Sequence, residues 1–408
     1  MIRPKMSVLA VCMLLAAKTS FAQERTIDTV ANTNYKSRKL KLEEQNFVTG
    51  YYIQDGNNAA VTGGMGDEHL TDVATTYNLN WVKYDKKNRK HSLGAELGVD
   101  VYSSASSDKI DPNTVSSASS SDIRLYPSIN YLIQNDEKRF SIGGGYSFSR
   151  EYDYTSHGLN IIGSKWSKDR NSELTAKASV FFDNISVILP VELRPNGYGS
   201  GAEDDPLPID KANRTSYNFG LMFSQVINKN LQIALLSDIS YQEGLLATRF
   251  HRVFFNDGSV RVENLPGTRL KIPIGIRANY FLGDKTVIRS FYRYYTDNWN
   301  VNAHTLSTEI SYKLTPFISF APFYRFYVQT AAEHYSEYAT HDPNSEFYTS
   351  DFDLAKFNSN MFGLNLRFAD LNGKLFIKKL NVIDLRYSYY ERNNGFFAHS
   401  ITLGLNFK

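Results

Sequence analysis

The sequence predicts an all-β fold, a transmembrane antiparallel up-and-down β-barrel of about sixteen strands. Three observations predict it. Apolar and polar residues alternate with a period of two in segment after segment. The connections between those segments alternate between short and long. Tyrosine and phenylalanine number 27 and 26 in 408 residues, yet the mean hydropathy is −0.37, so the aromatics are not gathered into long apolar spans.

The amino terminus sets the compartment. Arg3 and Lys5 precede an apolar stretch from Met6 to Ala17, and Ser20-Phe21-Ala22 is a small-x-small cleavage site, which together make a secretory signal peptide over residues 1–22. The stretch is shorter than the roughly twenty residues a spanning helix needs. The single cysteine, Cys12, leaves with it, so the mature chain has no thiol chemistry. The formal charge of +3 leaves too, since Arg3, Lys5 and Lys18 are removed with no acid among them. A balanced mature chain gives no reason to expect a nucleic-acid partner. Residues 23–45 are polar and read as a periplasmic segment or a plug, and the barrel is expected over 46–408.

In LKIPIGIRANYFL, Leu270, Ile272, Ile274, Ile276, Ala278, Tyr280 and Leu282 share one face, as a strand requires. The same pattern places strands near 46–54, 73–84, 90–102, 123–134, 139–152, 158–167, 172–188, 215–227, 231–243, 268–282, 285–296, 302–314, 317–330, 359–369, 380–390 and 396–407. Tight polar connections such as Lys86-Lys87-Asn88-Arg89 and Asn228-Lys229-Asn230 alternate with long ones at 55–72, 103–122, 189–214, 244–267 and 331–358. A barrel with one periplasmic and one external rim has this phase, whereas a soluble β-sandwich does not demand it. The last strand, with Phe397, Ile401, Leu403, Leu405 and Phe407 on one face, looks like the signal read by the barrel-assembly machinery, although Lys408 follows the aromatic. The expected location is the outer membrane.

If the apolar face meets lipid, the other face lines the lumen. Glu96, Asp100 and Arg124 are then inward in the first half, and Lys271, Arg277, Arg289, Arg293, Arg325, Arg367 and Arg386 form a basic wall in the second. Facing charges either set the selectivity of a water-filled pore or pair across a closed lumen. Both readings stay open at this level.

The segment DGNNAAVTGGMGDEHLTD, residues 55–72, is rich in glycine and acid. A phosphate cradle needs a strand before it and a helix after it, but ATTYNLNWVKY follows, another alternating strand. The segment is therefore the first outer connection, with Asp55, Gly56, Asn57, Gly63, Gly64, Asp67, Glu68, His69 and Asp72 as candidate mouth residues. Deleting 57–66 is expected to abolish activity and leave a folded barrel. In EHYSEYATHD, His334, Glu337 and His341 are weak metal candidates whose spacing matches no ligand motif. GxSxG, HExxH and P-loop patterns are absent from the sequence, so no catalytic residue and no cofactor is expected.

The DGNNAAVTGG block, with Glu68, Leu70, Thr71 and Asp72 and the serine-rich stretch at 116–122, resembles a bacterial outer-membrane family catalogued as a domain of unknown function. The resemblance implies a secreted β-barrel over the whole mature chain. It also implies a link to envelope redox or cofactor handling, through association with periplasmic thioredoxin-like proteins and a flavin transferase. Two functions follow as expectations. One is a pore for small polar solutes or ions. The other is a surface or assembly component whose long loops bind an envelope protein or glycan; an outer-membrane hydrolase is a distant third.

Overall fold

The computed structural model describes residues 38–103, 121–193, 210–369 and 379–408. The expected signal peptide with Cys12, the polar stretch through Ser37 and residues 116–120 of the serine-rich stretch lie outside them.

Sixteen antiparallel strands close into one barrel. They are β1 Lys41–Asp55, β2 Leu70–Tyr84, β3 Lys90–Ser103, β4 Ser121–Asn135, β5 Phe140–Arg150, β6 Tyr154–Trp166, β7 Ser172–Val187, β8 Asp210–Asn228 and β9 Leu231–Gly244, and then β12 Thr268–Leu282, β13 Thr286–Asp297, β14 Asn302–Lys313, β15 Ile318–Gln329, β16 Phe357–Ala369, β17 Leu380–Arg392 and β18 Phe397–Phe407. Two short strands, β10 Arg252–Phe254 and β11 Val260–Val262, form a hairpin of their own between β9 and β12. Each barrel strand pairs with its neighbour in the chain, and β18 returns to β1 with Phe407 opposite Gln45. Closure leaves no unpaired edge. The first strand starts earlier than the alternation suggested. Residues 41–45, read as the end of a polar segment, extend β1 because Lys41, Leu42, Glu44 and Gln45 find partners on β2.

The period of two holds along the strands apart from register shifts at Leu42/Glu44, Val226/Asn228 and Leu380/Val382. Leu97, Ile123, Leu125, Ile129, Tyr131, Ile142, Leu159 and Ile161 are exposed on one face of adjacent strands, Ile161 at 66%. A belt of this extent is unstable in water and is what a bilayer requires of a closed barrel. At the end carrying the long connections, three histidines join this belt in one arrangement. Tyr146 and His157, Tyr292 and His304, and Tyr387 and His399 are hydrogen-bonded across neighbouring strands at 2.9, 2.8 and 2.9 Å. Each pair keeps a polar tip satisfied at the interface while the rings stay in the belt. Hydropathy treats histidine as polar, so this role was invisible in the sequence.

The residues between the lipid-facing ones point inward, among them Glu96, Asp100, Arg124, Arg277, Arg289, Arg325 and Arg386. Gly363 illustrates how the wall is shaped: a Cβ there would lie 2.2 Å from the Phe323 ring on β15. Its hydrogen atom lets that ring lie against the neighbouring strand.

Turns at one rim are tight. In the β2–β3 turn Asp85 accepts from the backbone N–H groups of Lys87 and Arg89, at 2.8 and 2.9 Å. The opposite rim is covered by a folded cap. The 245–267 and 330–356 connections bury Ala247, Leu265, Ala332 and Leu354 together with Trp299 and Val301. A second cluster joins Val253 and Phe255 to Tyr348. Bridges Phe255↔His341 and Asn264↔Tyr348 stitch the two connections side by side, and Tyr335↔Thr349 folds the second one onto itself. Phe255 is 1% exposed, and Phe255→Ala is expected to remove about 3–5 kcal/mol from the cap. Limited proteolysis should then cut within 245–267 while the heat-modifiable gel shift of the barrel stays as in the parent protein. Loss of both together would mean that cap and barrel are one cooperative unit.

Candidate functional site: a capped, arginine-lined lumen

The cap is held to inward-facing side chains at the outer strand ends. Asp297 at the end of β13 pairs with Arg269 of β12 at 2.5 Å and accepts from the Trp299 backbone N–H at 3.0 Å, and the Trp299 indole N–H donates to the Thr268 carbonyl at 3.1 Å. Gln329 donates through Nε2 to the Asp353 and Ala355 carbonyls, at 2.9 and 2.6 Å. Arg392 on β17 bonds Asp353 at 2.7 Å and stacks over Phe357 and Phe396, each 4.5 Å from the guanidinium carbon. Charge-assisted bonds of this kind are stronger than neutral ones.

The 56–69 connection is the piece that locks the others. Asn58 Nδ2 donates to the Asn394 carbonyl at 3.0 Å, and Arg252 Nη1 donates to the Val61 carbonyl at 2.7 Å. The same guanidinium forks onto Glu192, so one buried arginine joins three connections. Gly63 and Gly64 have φ of +80° and +90°, and their bare faces lie against Phe254 and Phe352. Glycine is needed at both for conformation and for close approach. The cradle they form is for aromatic rings of the cap.

Of the mouth residues expected in this block, Glu68 is placed in a cavity of about 310 Å3 that Tyr52, Gln54, Asn58, Asp351, Asp353 and Arg392 also line. Gly56 supports it, since a Cβ there would lie 2.2 Å from Glu68 Oε1. Asp55 ends β1 and Asp72 lies within β2, so neither belongs to the loop. Asn57 is exposed, and Asp67 and His69 are half-buried beside the cavity's Glu68. Burial pushes the Glu68 carboxyl up to about 7, against the pull of Arg392 and with the added push of Asp353 and Asp351. A raised carboxyl favours the folded state below the ordinary value of 4.5 and loses that contribution as pH rises through about 7. Since the group is partly solvated, the contribution is about 1 kcal/mol after screening. A spin label at Met65→Cys, placed in a chain whose single cysteine, Cys12, is replaced by serine, should become more mobile between about pH 5 and about pH 8. Glu68→Gln should flatten that change, and an unaltered pH response in the variant would rule Glu68 out.

The expected metal candidates do not converge. His341 is buried against Phe255 and Tyr348, while His334 packs on Trp299 and Phe347. Neighbours in an irregular loop point in different directions, so closeness in sequence does not bring these side chains together. The described residues instead bring His251, Glu263 and Asp351 together.

Below the cap lies the basic wall. Arg277, Arg289, Arg325 and Arg386 line one cavity of about 330 Å3 with Glu309, Phe291, Phe323 and Met361. Arg289 pairs with Glu309 at 2.7 Å, and Arg386 reaches the other Glu309 oxygen at 3.7 Å while stacking 4.0 Å over Phe323. Among the described residues Arg277 and Arg325 form no ion pair. One carboxylate therefore stands against four guanidiniums, and an anion entering the cavity would relieve their mutual repulsion. Arg367 of the wall faces Asp384 at 3.7 Å, and in the first half of the barrel Arg124 faces Glu151 at 3.4 Å. Across the lumen Asp100 accepts from the Tyr126 hydroxyl at 2.8 Å. Lys271 and Arg293 are inward on β12 and β13 but do not line the arginine cavity.

The chain is similar to several solved structures. OpdK of Pseudomonas aeruginosa with vanillate matches with a TM-score of 0.41 and 6% identity over 91% of this chain and 99% of that one. A BenF-like porin from Pseudomonas fluorescens Pf-5 gives 0.44 and 7% over 89% and 98%, and a bacterial polysaccharide outer membrane secretin gives 0.45 and 9% over 90% and 98%. At these scores and identities nothing about a solute follows. No curated protein matches the chain. The family match starts at residue 103, beyond the DGNNAAVTGG block, so the assignment does not rest on the motif that suggested it. Over residues 103–400 the chain fits the model described as "Protein of unknown function (DUF3570)", and it belongs to that family.

Proposed function

We propose that the protein is an outer-membrane channel for small polar solutes that favours anions, with passage governed by the cap. The observation that carries this reading is the cavity on β12–β17, where four arginines share one glutamate. Water-filled lumens lined by one sign of charge select by that sign. Hydrogen-bonding side chains beside the guanidiniums, Asn279 and Ser307, suit a solute with hydroxyl or carboxylate oxygens.

The alternative, a surface component that holds a partner through its long loops, draws less support. The two connections of the cap bury Val253 and Phe255 in one cluster, and Leu354 with the neighbouring Trp299 in another, rather than offering them to a partner. Purified protein in planar bilayers tests the channel reading. Discrete conductance steps with anion preference are expected, and a silent, heat-modifiable barrel would overturn it.

A further inference from the structure

We propose that His251, Glu263 and Asp351 form a site for a borderline divalent cation, of the Zn2+ type, that locks the 245–267 connection to the 330–356 connection. The inference concerns the cap and stands whether or not the barrel conducts.

Geometry places the three side chains. The β10–β11 hairpin pairs Arg252 with Val262, so His251 and Glu263 sit opposite each other one step beyond, with the Glu263 N–H donating to the His251 carbonyl at 3.0 Å. Asp351 comes from the other connection, held alongside by the Asn264↔Tyr348 bridge. One ligand atom from each lies within 4.8 Å of the others. The His251 Nδ1 to Glu263 Oε1 distance is 3.6 Å, too long for a hydrogen bond. Two donors on one tetrahedral zinc, each about 2.1 Å from the metal, stand about 3.4 Å apart.

Two independent features point to a ligand. First, His251 Nδ1 is buried and has no hydrogen-bond partner, which is costly for an imidazole nitrogen unless something is bound to it. Second, the charges do not balance. Glu263 is 2% exposed, and among the described residues neither it nor Asp351 pairs with a lysine or arginine. A buried carboxylate and a half-buried one beside an imidazole leave a local excess of negative charge that a divalent cation would neutralise. The carboxylates are already oriented by their surroundings, as metal ligands usually are. Glu263 accepts from the Thr349 hydroxyl and the Thr248 N–H, both at 2.5 Å, and Asp351 accepts from the Asp353 N–H at 2.9 Å. A nitrogen and two carboxylates, with a water completing the shell, is a donor set for zinc or a similar ion rather than for a purely oxygen-seeking one.

The test uses full-length protein refolded or purified in detergent, stripped with a chelator and titrated with Co2+ as the spectroscopic stand-in. A visible d–d absorption saturating at one equivalent, displaced by Zn2+, is expected. No such band, or one saturating only with excess metal, would overturn the proposal without any variant. Asp351→Asn and Glu263→Gln should each weaken Zn2+ binding by about 10- to 100-fold, with the gel shift showing that the barrel is folded. Undiminished binding in both variants would also overturn it. In the parent protein, chelation should speed proteolysis within 245–267, and Zn2+ should restore protection. These readouts do not involve conductance, so they fail or succeed apart from the channel reading.

Discussion

Excision of residues 57–66 is expected to leave the barrel assembled and to raise its conductance several-fold. The segment is closed on itself: Asn58 bridges Gly66, the Ala59 N–H donates to the Gly66 carbonyl, and the Glu68 N–H donates to the Gly56 carbonyl at 3.1 Å. Its ends already meet, so a shorter turn from Gly56 to Asp67 disturbs neither β1 nor β2. The cap fares differently. Arg252 loses the Val61 carbonyl, and a buried charged donor left short of an acceptor costs about 1.5–3 kcal/mol. Phe254 and Phe352 lose the glycine backbone that covers them, and the Asn58 tie to Asn394 disappears. The sequence alone pointed to loss of activity on this deletion, whereas the packing gives the change a direction, from restricted to open passage. Bilayer recordings of the deletion beside the parent protein check it. Equal step sizes would show that the cap does not obstruct the pore.

What could be read in advance divides at the membrane surface. Lipid on one face forces a choice at every residue of a strand, and a slip of one position would invert it. That is why Leu270 to Leu282 could be assigned to a strand and a face from letters alone, and why Glu96, Arg277 and Arg386 could be placed inward. The cap obeys no such rule. Arg252 meets Val61 and Glu192, and His251 meets Asp351, through contacts between connections with no shared period. Gly63 and Gly64 announced positive φ but not the rings they approach. One signal was present and passed over. In HRVFFNDGSVRVE the Asp257-Gly258 pair sits between alternating apolar residues, the strongest short-range mark of a hairpin. Had 244–267 been read for it, His251 and Glu263 would have emerged as facing residues.

Reversing two charges in the lumen is expected to turn anion preference into cation preference. Arg277 and Arg325 suit the experiment because neither is held by a carboxylate among the described residues. Arg289 donates to Glu309 at 2.7 Å, so a glutamate there would press two carboxylates together and confuse selectivity with damage. Counting the side chains that line the cavity, four arginines and one glutamate carry +3. The double variant Arg277→Glu, Arg325→Glu changes that by four charges, to −1. Fixed charges act on a passing ion over about 8 Å at physiological ionic strength, comparable to the width of such a cavity, so the reversal potential in a salt gradient should change sign at low salt. Raising the salt should shrink the difference between variant and parent. Arg293→Glu is the informative control, since it faces inward on the same strand as Arg289 but outside the cavity, and its effect should be smaller. An unchanged reversal potential in the double variant would place the selective region elsewhere, whereas inversion with the cap intact would fix β12–β15 as the wall that reads the solute's charge.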